Sequence, residues 1–108
     1  MRAAVKLMPA NARYLNQLAW LLATCADDQY RDAPAALAIA EQACDLSGET
    51  DALILDTRAV AHAECGDFAG AVRWAEAALA VATPDAKDEL RERLKLFRSG
   101  KTYRCRGA

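Results

Sequence analysis

Reactive chemistry in this chain would have to begin at its histidine and its cysteines. His62 is the only histidine, and Cys65 follows it at i+3, a spacing at which two helical side chains can meet. Such a pair could form a Cys–His nucleophile, and with Cys25 or Cys44 it could form a zinc site. The surroundings argue against both. The two residues close the stretch "DALILDTRAVAHAEC", residues 51–65, which is alanine-rich and reads as a helical packing seam. A seam offers no cleft and no oxyanion donor, and geometry comes before pKa in any catalytic assignment. The four cysteines, Cys25, Cys44, Cys65 and Cys105, are spaced long and irregularly, with no C-x-x-C pair. The first three fall in apolar helical stretches, where cysteine serves as a small hydrophobe, so a reduced, cytoplasmic protein is expected.

The remaining polar residues have plainer roles. Asp27, Asp28, Asp51, Asp56, Asp85, Asp88 and Glu89 are mostly placed where helices begin, which the helix dipole favours. A glycine-rich phosphate loop is absent from the sequence. Arg98, Lys101, Arg104 and Arg106 gather near the C-terminus, yet the net charge is -1. So little basic surface elsewhere points away from nucleic acid, and no apolar run approaches membrane-spanning length. No enzyme activity, cofactor or metal is expected.

What could position these residues is a set of helices. The 108 residues suffice for one small domain, and sparse β-branched residues give an all-α composition. Residues 2–8 read as a helix end stopped before Pro9. Asn11 can cap "ARYLNQLAWLLATC", with Leu15, Leu18, Ala19 and Leu22 on one face. After a polar loop at 26–32, Asp32 caps "APAALAIAEQACDL", which Gly48 ends. Thr50 can cap the helix that runs to Gly66, Asp67 opens "FAGAVRWAEAALAVA", and Thr83-Pro84-Asp85 opens a last helix ending at Gly100. In that last helix Leu90, Leu94 and Phe97 form a narrow apolar stripe, and Asp88, Glu89, Arg91, Glu92, Arg93 and Lys95 cover the rest.

The pattern repeats. Ala36, Ala40 and Ala43 match Ala71, Ala75 and Ala78 at a constant offset of 35, while Leu15 and Ala19 match Leu55 and Ala59 at 40. A five-residue insertion in the 26–32 loop accounts for the difference. Each alanine set falls at i, i+4 and i+7, on one helix face, and small side chains there let two backbones come close. Duplicated helical hairpins are the signature of an α-solenoid.

On these residues the chain resembles the tetratricopeptide repeats. "YLNQLAWLL" fits the first helix of a repeat, "GDFAGAVRWAEAAL" fits the helix junction and second helix, and "AVKLMPANA" resembles the end of a preceding repeat. The loop "LATCADDQYRD" and the ending "LRERLKLFRSGKTYR" look like a variant common in large bacterial multidomain proteins. In some of those the repeats follow a serine/threonine kinase domain. The resemblance implies a right-handed α-α superhelix of two hairpins with a partial helix before and a capping helix after. Its divisions are 1–9 as the end of a preceding repeat, 10–48 and 49–83 as repeats, 84–99 as the cap and 100–108 as a tail. Arg58 and His62 depart from the pattern, which wants a leucine and a large aromatic there. A buried arginine needs a partner, so Arg58 is expected to pair with Glu41 or Asp45.

The resemblance further implies a concave groove lined by first helices. Carried onto this sequence, the groove residues are Arg13, Asn16, Gln17, Trp20 and Thr24, then Asp56, Thr57, Val60 and Glu64. Trp20 is the expected anchor, since tryptophan and arginine often supply most of a binding site's energy; equally, it could pack on the capping helix. Asn16 matches one position of the family's carboxylate clamp, but Trp20 stands at the second and no lysine faces the groove, which argues against chaperone-tail recognition. A protein or peptide partner is expected. The alternative is a structural or oligomerising C-terminal piece of a larger scaffold, whose uncapped apolar N-terminal edge would pair with a second copy or with upstream sequence.

Overall fold

Local capping chemistry sets most of the helix boundaries. The computed structural model describes residues 9–25, 31–48 and 51–103, with side chains from Ala12 onward. Among the described residues there are five helices and no strand: α1 Pro9–Thr24, α2 Ala33–Ser47, α3 Ala52–Glu64, α4 Phe68–Val81 and α5 Pro84–Arg98. The Asp32 carboxylate accepts the Ala35 N–H at 3.2 Å, and the Asp67 carboxylate accepts the Gly70 N–H at 3.0 Å. The two second helices of the expected hairpins thus start on the same N-cap chemistry, again 35 residues apart. Gly48 and Gly66 follow α2 and α3 at φ 74° and 85°, a left-handed conformation that costs glycine little.

Two expected starts differ. The described part of α1 runs from Pro9, so Asn11 lies within the helix rather than at its cap position. α3 is capped by Asp51, which accepts the Leu53 N–H at 3.0 Å, one residue after the expected Thr50. Thr50, the 2–8 segment and most of the 26–32 loop lie outside the described residues.

The small residues of the seams are buried where expected. Ala36, Ala40 and Ala43 on α2 and Ala71, Ala75 and Ala78 on α4 are almost wholly without solvent contact. α1 packs along α2 and α3 packs along α4, forming two helical hairpins. α3 also meets α2 and α1, and α5 closes against α4. This central position explains why α3 is buried nearly all round, including Asp56 and Thr57. Leu90, Leu94 and Phe97 of α5 enter the core as the stripe predicts, and Phe97 is the largest fully buried side chain. Burying an aromatic side chain of this kind stabilises by roughly 2–3 kcal/mol.

Candidate functional site

α1, α3 and α5 leave an open cleft of about 600 Å³ between them. Its walls are Asn16, Gln17, Trp20 and Leu21 from α1, Leu53, Asp56 and Thr57 from α3, Glu89 and Arg93 from α5, and Tyr103 beyond it. The geometry follows from helix periodicity: Asn16, Gln17 and Trp20, like Leu53, Asp56 and Thr57, lie at i, i+1 and i+4 or i, i+3 and i+4, on one face of each helix.

The floor is an ion pair. Arg93 Nη2 lies 2.7 Å from Asp56 Oδ2, and Arg93 Nε donates to Asp56 Oδ1 at 2.9 Å. The Arg93 and Asp56 side chains are 10% and 3% exposed. Burial pushes the Asp56 carboxyl above its ordinary value, while the hydrogen bond and charge of Arg93 pull it back down. Arg93 was expected in the polar cover of the last helix; instead it is buried beside the apolar stripe. Its guanidinium carbon stands 5.5 Å from the Trp20 ring centre and 5.1 Å from that of Tyr103, distances at which the ring faces attract a cation. Trp20 and Tyr103 lie 5.6 Å apart, tilted by 41°.

Above this floor the lips are apolar. Leu21 and Leu53 are each 63% exposed. The buried Oδ1 of Asn16 has no hydrogen-bond partner among the described residues, so the cleft wall holds an unused polar position. The Thr57 hydroxyl is already committed, donating to the Leu53 carbonyl at 2.9 Å.

The expected groove residues therefore divide. Asn16, Gln17, Trp20, Asp56 and Thr57 come together in the cleft. Val60 is fully buried in the core, because α3 is central and has no free face at that level. Thr24 is 1% exposed and donates to the Trp20 carbonyl at 2.7 Å. Glu64 is buried against Arg31, with Oε1 at 3.7 Å from Nε. Arg13 is exposed but outside the cleft wall. Leu21, Leu53, Glu89, Arg93 and Tyr103 were not expected at the site. The two leucines carry a legible signal, since neither belongs to a packing seam; the other three are placed only by the docking of α5.

His62 and Cys65 do not face each other as a dyad. His62 Nδ1 lies 3.0 Å from Asp67 Oδ2, and Cys65 sits exposed on the turn that ends α3. That exposure also corrects its expected role as a buried hydrophobe, a role that Cys44 fills. Burial and the acids Glu64 and Asp67 push the Cys65 thiol up, away from thiolate reactivity. The Gly70 N–H holds the Asp67 carboxyl low; burial opposes it, and the hydrogen bond and charge of His62 add to the lowering. The same cluster explains Gly70, because a Cβ there would stand 2.8 Å from His62 Nδ1 and collide with the Asp67 carboxylate. Among the described residues no three His, Cys, Asp or Glu side chains are grouped to hold a metal, and no helix is long and apolar enough to cross a membrane.

Arg58 takes the partner expected of it. Its Nη2 lies 3.4 Å from Glu41 Oε2, and its guanidinium carbon 3.9 Å from the Trp74 ring centre. No protein-family model, curated protein or solved structure matches the chain.

Proposed function

We propose that the chain is a non-catalytic interaction module, a short right-handed array of tetratricopeptide-like hairpins with α5 as its cap. The cleft between α1, α3 and α5 receives an extended segment of a partner protein. The observation that carries this reading is the pair of lips, Leu21 and Leu53, each 63% exposed over a floor whose charges are already paired. An exposed leucine gains roughly 1.5–3 kcal/mol when fully covered, and an approaching segment meets no unpaired buried charge on the floor. Both leucines stand on helices fixed by packing, so little ordering cost opposes binding.

A second reading is that α5 and the residues after it simply close a larger scaffold. Its specific support is the contact of Arg93 and Tyr103 with Trp20, which places the cap on the expected anchor. The double variant Leu21→Glu/Leu53→Glu separates the two. On the interaction reading it abolishes capture of the chain's binding partner while helicity and melting temperature stay unchanged, because both positions are exposed. Undiminished capture by the double variant would leave the scaffold reading in its place. Any turnover that required His62 would overturn both.

A further inference from the structure

The corner of the cleft at Trp20 already has an occupant, and the way it is held shows what else would fit. Gly100, at φ 73°, ends α5, and the Lys101 N–H donates to the Leu96 carbonyl at 2.8 Å, a six-residue closure of the Schellman type. The chain turns there, and three residues later Tyr103 lies 5.6 Å from Trp20 and 5.1 Å from the Arg93 guanidinium. Aromatic and cationic contacts and packing against the core hold it; among the described residues, neither the Tyr103 hydroxyl nor the backbone of Thr102 or Tyr103 makes a hydrogen bond.

The charges around this corner are unequal. Asp56 and Glu89 oppose Arg93 in the cleft wall. Arg93 spends its charge on Asp56 at 2.7 Å and reaches Glu89 only at 4.0 Å, and the Glu89 side chain is 80% exposed. The rim therefore keeps a largely uncompensated carboxylate. The segment that carries Tyr103 has the complementary sign: Lys101 precedes it and Arg104 and Arg106 follow in the sequence.

We propose that the strap at residues 100–103 is a built-in competitor, and that the Trp20–Arg93 corner is a receptor for an aromatic side chain flanked by basic residues. A partner segment binds by placing its own ring where Tyr103 lies, with its cations toward Glu89 and an aliphatic neighbour toward Leu21 and Leu53. This rests on the interaction-module reading and adds to it the chemistry of the partner and the step that admits it. Tethering gives the strap a local concentration of order millimolar, so a free ligand is held back until it outcompetes the chain's own tyrosine.

The test uses the full chain and a synthetic peptide of residues 101–108, KTYRCRGA, under reducing conditions. Binding is followed through the two indole N–H signals of the 15N-labelled protein, with Trp74 as the internal control. Tyr103→Ala is expected to bind the peptide at least tenfold more tightly than the wild type, with the Trp20 signal moving and the Trp74 signal still. Tyr103→Phe keeps the ring and should behave as the wild type, and a peptide with alanine in place of its tyrosine should not bind. Equal affinity of the Ala variant and the wild type, or absence of binding to a natively helical Ala variant, overturns the proposal. Loss of the fold in the Ala variant overturns it as well, since the strap would then be structural rather than displaceable. None of these results touches the Leu21/Leu53 capture experiment, so the interaction reading stands or falls separately.

Discussion

Each of the two tryptophans meets an arginine that answers to an acid, yet the sites differ in what water can reach. At Trp74, Arg58 lies 3.9 Å from the ring centre and its partner Glu41 is 46% exposed. At Trp20, Arg93 stands farther from the ring, at 5.5 Å, and its partner Asp56 is 3% exposed. The same three residue types therefore carry different obligations. Solvent can take over from Glu41, so that pair is a convenience. No solvent can take over from Asp56, so either partner without the other leaves a buried charge. The obligatory pair is the one that floors the cleft, which fixes α5 against α3 at the place where a partner would dock.

The largest test of this contrast is Asp56→Ala, expected to lower the unfolding free energy by about 3–5 kcal/mol because it strands Arg93. Urea denaturation followed by helicity measures it. A domain of this size has only about 5–15 kcal/mol in all, so the loss would be conspicuous. Replacing both partners, as Asp56→Leu/Arg93→Met, should recover most of it, since apolar residues of similar volume cost little where a buried pair stood. A double variant as unstable as Asp56→Ala would show that the pair contributes beyond mutual neutralisation.

Glu41→Ala is the smaller counterpart. A half-exposed pair is expected to contribute less than about 1 kcal/mol, and the Trp74 ring still holds Arg58 in place. A loss as large as that of Asp56→Ala would erase the distinction between the two sites.

Acidity gives the finest discrimination. The folded-state value of Asp56 lies above its ordinary 3.8, so between those two values the folded chain binds the proton that the unfolded chain releases. Its contribution to stability is therefore full below pH 3.8 and is lost as pH rises through the folded value. The Asp56→Leu/Arg93→Met variant lacks this dependence, and its stability relative to the wild type should rise with pH across that window. Asp67 runs the other way: held below 3.8, it contributes above that value and loses its contribution as pH falls through the folded one. Being common to both proteins, it cancels in the difference. Urea midpoints at several pH values from 3 upward give the curve.

Much of this molecule is legible residue by residue. Asp32 and Asp67 as caps, Gly48, Gly66 and Gly100 as stops, and the two alanine stripes all depend on atoms within a few residues of one another. The Arg58–Glu41 pair was readable for a different reason: an arginine at a position where an apolar residue was expected demands a neighbouring acid. Arg93 escaped the same logic because one turn of an amphipathic helix offers it a solvent-facing place, and its partner Asp56 is 37 residues away. The cleft shows the same division. Asn16, Gln17, Trp20, Asp56 and Thr57 are positions that the resemblance implied, whereas the burial of Val60 and of the Glu64 side chain and the arrival of Glu89, Arg93 and Tyr103 follow from how helices stack.

By itself, then, the order of residues determined where most of the helices start and stop and which small side chains form the contact faces, because hydrogen bonds of capping groups and the periodicity of methyl groups are settled over one or two turns. Only the packed tertiary structure decided which charges leave water and which apolar side chains stay in it. Desolvation is imposed by every neighbouring element at once, and no single stretch of chain contains that information.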